Sequence, residues 1–122
     1  MTKEEKQLLL KDLCARLPYG VKCRFENKTK EFSREGANGL LVDFDELYCY
    51  WFNEGLILPY LRPLSSMTKE EREYLEELSN FKATPSVVRD KVDFYLEHHL
   101  DYRGLIPMGL ALEAKEGMYK TK

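Results

Sequence analysis

The stretch Pro59-Tyr60-Leu61-Arg62-Pro63-Leu64-Ser65-Ser66-Met67-Thr68-Lys69-Glu70-Glu71 divides the chain into halves of different character. Each proline holds φ near about −65° and turns the residue before it toward extended backbone, so residues 59–67 read as a stiff connector. Thr68, followed three residues later by Glu71, is a capping box that starts a helix at the connector's far end. Together these signals predict one α+β domain over 1–122. It has an N-terminal helix over 3–17, a sheet region over 20–61, a helical region over 68–114 and a frayed tail over 115–122.

On the N-terminal side of the connector, Leu56 to Leu61 reads as a strand. The segment before it supports two readings. Leu40, Val42 and Phe44 alternate as a strand does, and Leu47 to Phe52 is an almost unbroken run of β-favouring residues. Asp43 to Glu46 can equally cap a helix that carries Phe44, Leu47, Tyr48 and Trp51 on one face and closes at Gly55. The two-strand reading is preferred, because Tyr48 to Phe52 holds four aromatics and no strong helix former. Further back, Gly36-Ala37-Asn38-Gly39 is a break. Val21, Cys23 and Phe25 alternate with Lys22, Arg24 and Glu26 as a half-buried strand, which turns through Asn27 to Lys30 into a short partner near Phe32. Thr2 and Glu5 cap a first helix with Leu9, Leu13, Arg16 and Leu17 on its inner side and Lys3, Lys6, Gln7, Lys11 and Asp12 in water; Pro18 and Gly20 end it.

On the C-terminal side, Tyr74, Leu75, Leu78 and Phe81 form an apolar stripe. Thr84-Pro85 restarts a helix with Pro85 at its first position, and Val88, Val92, Tyr95, Leu96 and His99 share one expected buried face. Asp101 to Gly104 interrupts it, and Leu105 to Leu112, broken by Pro107 and Gly109, is expected to form short helical turns. The architecture expected is a small curled antiparallel sheet of about four or five strands, barrel-like, with three to four helices.

Composition bounds the function. With 122 residues the chain can bury roughly 65% of its unfolded surface. A net charge of −2 gives no global attraction to nucleic acid, and no apolar run reaches the length of a membrane span. Met1 to Lys11 is charged and lacks a signal peptide's apolar core. Cys14, Cys23 and Cys49 are odd in number and contain no Cys-x-x-Cys pair, so reduced thiols in the cytoplasm are expected.

Three blocks carry a resemblance. They are Leu8 to Val21 (LLLKDLCARLPYGV), Pro59 to Thr68 (PYLRPLSSMT) and His98 to Ile106 (HHLDYRGLI), the last followed by Gly109 to Ala114. They resemble a family of short uncharacterised proteins of gut Bacteroides-type bacteria, their phages and mobile elements. The resemblance implies a bacterial cytoplasmic setting and a fixed helical frame carrying a changeable sheet; it brings no activity and no catalytic residue. Pro107-Met108 departs from the family's usual charged pair, which leaves the exposure of that turn open.

Several residue groups invite a chemical reading. His98, His99 and Asp101 are adjacent, but neighbouring helical side chains point about 100° apart, and a metal would need further ligands such as Cys14 or Cys23. The expectation is a packed His99, a His98 at a helix C-terminus and an Asp101 that closes a turn, with no metal, cofactor or catalytic residue. A Cys–His dyad is disfavoured because Cys14 and Cys23 lie on apolar faces. Tyr60, Arg62, Tyr102 and Arg103 mix residue types found at recognition surfaces, yet they also suit a tie between connector and body, including an Arg62–Asp101 pair. Tyr48, Tyr50 and Trp51 would offer a partner surface if one sheet face is uncovered. Lys22, Arg24, Lys28, Lys30 and Arg34 form a modestly basic strand pair, interrupted by glutamates, that suits nucleic acid. No phosphate loop, nucleophile elbow or His-Glu-x-x-His occurs. The expectation is a non-catalytic module that binds a protein partner, with nucleic-acid binding as the alternative and a small enzyme near His98 and His99 as the least favoured.

Overall fold

The computed structural model describes residues 2–25, 28–32 and 52–119. Helix α1 (Lys3–Arg16) starts at the expected capping box: Thr2 Oγ1 accepts the Glu5 amide at 3.1 Å, and Glu5 Oε1 accepts the Thr2 amide at 2.8 Å. A 3-10 turn over Leu17–Tyr19 ends it. Gly20 then takes φ 72°, where a side chain would be strained and its Cβ would meet the Glu31 carboxylate.

Strand β1 (Lys22–Phe25) buries Cys23 and Phe25, as the alternation predicts, and pairs antiparallel with β2 (Lys28–Glu31). Its other neighbour is β3 (Ile57–Leu61), also antiparallel, with Cys23 opposite Pro59. All five residues of β3 are buried, so the front of the expected connector is central sheet. Pro59 fits there because β4 (Leu112–Glu113) meets only Tyr60 and Leu61, leaving the proline outside that ladder. A 3-10 turn, Leu64–Ser66, occupies the rest of the connector.

The β4 strand corrects the all-antiparallel expectation. It runs parallel to β3, and among the described residues the sheet is mixed and four-stranded in the order β2-β1-β3-β4, not closed into a barrel. Between β3 and β4 the chain passes through α2 (Lys69–Ser79) and α3 (Pro85–Glu97), and a long helical crossover is what returns a strand in the same direction. These are the three α-helices among the described residues, and none is long and apolar enough to cross a membrane. The Leu40-to-Phe52 reading lies outside the described residues except at its end. There Phe52 and Asn53 are helical rather than extended, and Gly55, at φ 73°, donates its amide to Phe52 at 3.1 Å.

Leu9 and Leu13 of α1 lie against Cys23, Phe25, Ile57 and Leu61 of the sheet, with Phe32, Phe52 and Leu105 completing the core. The helical pair is covered less than its stripes predict. Tyr74 is 43% exposed, Phe81 67% and Val88 51%, while Leu75 and Leu78 are half-buried. Glu71 is the buried residue of α2, so a polar tie rather than an apolar stripe anchors that helix. Of the tail over 115–122, residues 115–119 are described, and Tyr119 docks on the sheet. Its hydroxyl donates to Tyr60 O at 2.8 Å and accepts the Lys22 amide at 2.8 Å, and the Lys22 ammonium donates to Met118 O at 3.1 Å.

Asp12, assigned to the wet side of α1, is fully buried. It accepts Arg16 Nε on Oδ2 at 2.8 Å and Arg103 Nε on Oδ1 at 3.0 Å, while Arg16 Nη2 donates to Leu100 O at 2.7 Å. Removing one partner of such a group strands a charge out of water. Asp12→Ala is therefore expected to lower stability by about 3 kcal/mol or more in urea unfolding, whereas the double change Asp12→Leu, Arg16→Met is expected to cost less than that single substitution.

Candidate functional site

Arg62 sits where the two halves join. Its Nη2 donates to Glu71 Oε1 at 2.7 Å and to Ser66 O at 3.1 Å, and its Nη1 donates to Glu71 Oε2 at 2.9 Å and to His98 O at 3.4 Å. Its amide donates to His99 O at 2.7 Å, and its carbonyl accepts the Asp101 amide at 2.8 Å, forming a parallel bridge beside Leu100. Connector and 101–103 segment thus meet, but through main chain. The Arg62–Asp101 side-chain pair does not form, because Glu71 takes the guanidinium and Asp101 closes its own turn by accepting the amides of Leu105 at 2.7 Å and Ile106 at 2.9 Å. Hydrogen bonds from Arg62 pull Glu71 down to about 2 against the opposing effect of burial, with the Thr68 amide (2.8 Å to Oε1) and the Arg62 and His98 charges adding to the shift.

The other residues singled out at this junction are also engaged. Tyr60 is buried. Tyr102 stacks on Tyr95 at 5.1 Å, with the Arg103 guanidinium 4.8 Å from its ring centre, and Arg103 is paired to Asp12. Tyr48, Tyr50, Trp51, Cys49 and Arg34 lie outside the described residues. Within the basic strand pair, the register sets Lys22 opposite Glu31 and Arg24 opposite Thr29 on one face. Lys28 stands opposite Phe25 and Lys30 opposite Cys23 on the other. Directly opposed side chains share a face, so these cations are divided between two surfaces.

His98 and His99 part at the end of α3. His98 caps the helix, and its Nδ1 lies 3.2 Å from Glu71 Oε2. His99 turns inward at φ 56°, the left-handed position that glycine usually fills, with His99 N bonded to Leu96 O and Leu100 N to Tyr95 O. That is a Schellman closure with histidine at its strained residue. Its ring stacks on Tyr119 at 4.0 Å and is buried. Desolvation first, and then the Arg16 charge, depress its pKa from 6.5 to about 4, although a hydrogen bond to the Tyr19 backbone opposes the shift. Burial pushes the Cys14 thiol up; it pushes Cys23 up too, aided by Asp12, so both thiols stay protonated and weakly nucleophilic near neutrality. Among the described residues no group of His, Cys, Asp and Glu is arranged to hold a metal ion.

Between α2 and α3 runs an open groove of about 450 Å³, walled by Glu70, Glu71, Asp90, Asp93 and Glu97. Its floor is aromatic: Tyr74 stacks on Phe94 at 4.9 Å and 25°, and His98 lies 4.5 Å beyond Phe94. Glu71 is held by Arg62, but Glu70, Asp90, Asp93 and Glu97 are exposed and have no ion-pair partner among the described residues. Asp90, Asp93 and Glu97 fall at i, i+3 and i+7 on one face of α3. The sequence shows those carboxylates only as ordinary surface acids and Tyr74 as part of an apolar stripe, and the face expected to be buried in α3 leaves out Phe94. The spacing 90-93-97 was the available signal, and pairing with Glu70 and Tyr74 across the helices was not readable. A second hollow, about 460 Å³ beside Pro63 and Tyr119, has mixed charges from Glu113, Lys115 and Glu116. Met108 is 44% exposed, which resolves the Pro107-Met108 turn as a surface feature.

No protein-family model matches the chain, and no curated protein or solved structure matches it either.

Two outcomes are expected at the junction. Arg62→Lys keeps the charge but loses the planar fork, and should lower stability by about 2 kcal/mol in denaturant titration. Because His99 binds its proton less readily folded than unfolded, its contribution is complete above pH 6.5 and lost as pH falls toward 4. The wild type should lose on the order of 2 kcal/mol across that window, and His99→Asn, which tolerates the left-handed backbone and does not titrate, should flatten the loss.

Proposed function

We propose that this chain is a non-catalytic module that binds a basic protein partner through the α2–α3 pair. The observation that supports this reading is the acid-walled, aromatic-floored groove. Residues 69–97 hold eight carboxylates against five lysines and arginines, and the groove's own lining has no lysine or arginine. Low-dielectric walls of one sign concentrate the field toward an incoming cation. Phe81, in the loop that joins the two helices, and Val88 of α3 also remain exposed, supplying apolar area that charged contacts alone lack. The rings and carboxylates together suit recognition of side chains more than turnover of a substrate. Nucleic acid is the lesser reading, since Lys22 and Arg24 lie on the opposite sheet face from Lys28 and Lys30 and the groove repels phosphate.

The experiment is affinity capture from a Bacteroides-type host extract, the setting that the sequence resemblance implies, with wild type and an Asp93→Lys, Glu97→Lys chain immobilised in parallel. Both positions are exposed on α3, and lysine near a helix C-terminus is tolerated. The expected result is a protein with a basic surface that the wild type retains, salt releases and the variant loses. Identical captured sets, or retention abolished by nuclease, would overturn the reading.

A further inference from the structure

We infer that the occupant of the groove is a partner helix presenting arginines at i, i+3 and i+7, an inference that rests on the basic-partner reading above. The carboxylates of α3 are a ladder: Asp90 to Asp93 is a rise of about 4.5 Å and Asp93 to Glu97 of about 6 Å. Same-side positions on an extended strand repeat every ~6.6 Å, whereas helical side chains at i, i+3 and i+7 repeat with the ladder's own spacing. A helix laid along α3 therefore brings successive cations to successive acids.

The floor selects the cation. Tyr74 is 43% exposed in the middle of α2, while Phe94 is buried and supports one of its faces, so the Tyr74 ring is the π surface left open among the acids. A guanidinium is planar, stacks on such rings and forks onto carboxylate oxygens, while an ammonium is a compact, strongly hydrated charge. The groove wall already holds this pairing once, in the two-pronged contact between Arg62 and Glu71 at 2.7 and 2.9 Å. Glu70 on the opposite wall supplies a carboxylate on the far side of an inserted side chain.

The test is titration calorimetry of the whole chain with an alanine-based helical peptide bearing arginine at i, i+3 and i+7. Lysine and citrulline versions, and spermidine, serve as controls. The arginine peptide is expected to bind, with affinity falling about tenfold or more for citrulline and by a smaller factor for lysine. A chain carrying Asp93→Asn and Glu97→Gln should lose about tenfold, with its helical circular dichroism unchanged because both side chains are exposed. The inference is overturned if the arginine peptide does not bind, if citrulline binds as tightly, if spermidine matches the peptide, or if the double substitution has no effect. Failure of the peptides alongside loss of the captured partner in the charge-reversed chain would sink the arginine-helix inference alone; failure of both would sink the interaction reading itself.

Discussion

The buried pairing of Arg62 with Glu71 is the constraint on which the arrangement of the two halves depends. Glu71 belongs to the capping box of α2, so one carboxylate both starts that helix and receives the guanidinium from the end of β3. Arg62 in turn fixes the end of α3 through the carbonyls of His98 and His99. A point charge could satisfy one of these acceptors; a planar fork with several donors satisfies them together. The helical pair is consequently oriented from its base, and its apolar positions are left free of the duty of anchoring it. This explains how Tyr74, Phe81 and Val88 stay exposed in a stable fold.

A second polar junction, Asp12 between Arg16 and Arg103, joins α1 to the turn after α3. Two desolvated ionic centres in a small domain cost more to bury than apolar packing of equal volume, and they tolerate few alternative partners. Specificity of assembly is the matching benefit: Asp12 needs Arg103 from the turn after α3 and Glu71 needs Arg62 from the end of β3, so a misdocked helix leaves a charge unpaired. Beside these closed networks, the unpaired acids of the groove differ in kind. They are exposed and aligned, with rings between them, and the fold gives them no internal use.

Local signals in the sequence were readable wherever a few adjacent residues decide the outcome. The capping boxes at Thr2–Glu5 and Thr68–Glu71, the start at Thr84-Pro85 and the alternation of Cys23 with Phe25 all appear as their spacing implies. Partners distant in the chain were not readable. Asp12 looks like any wet helical acid until Arg103, 91 residues away, reaches it, and β4 is too short to register as a strand without β3 beside it. Helical spacing puts His99 on the buried face of α3; the side chain is buried, but the residue lies past the helix end in left-handed backbone, with its ring on Tyr119. The candidate groove was hidden for a related reason. An apolar stripe predicts burial, and nothing local says that an anchor elsewhere has made burial of the stripe unnecessary.

The tie between Tyr119 and Lys22 spans 97 residues, and the Arg16–Leu100 contact spans 84. Helices can wind from local contacts alone, but the clip of Tyr119 onto β1 and β3 requires residue 119 to return to residues 22 and 60. Contacts of this reach place the entropic cost of folding in the closure of long loops rather than in local turns. The same geometry sets the Tyr119 hydroxyl between the main chains of β1 and β3, so a residue outside every strand clips together the sheet's two central strands.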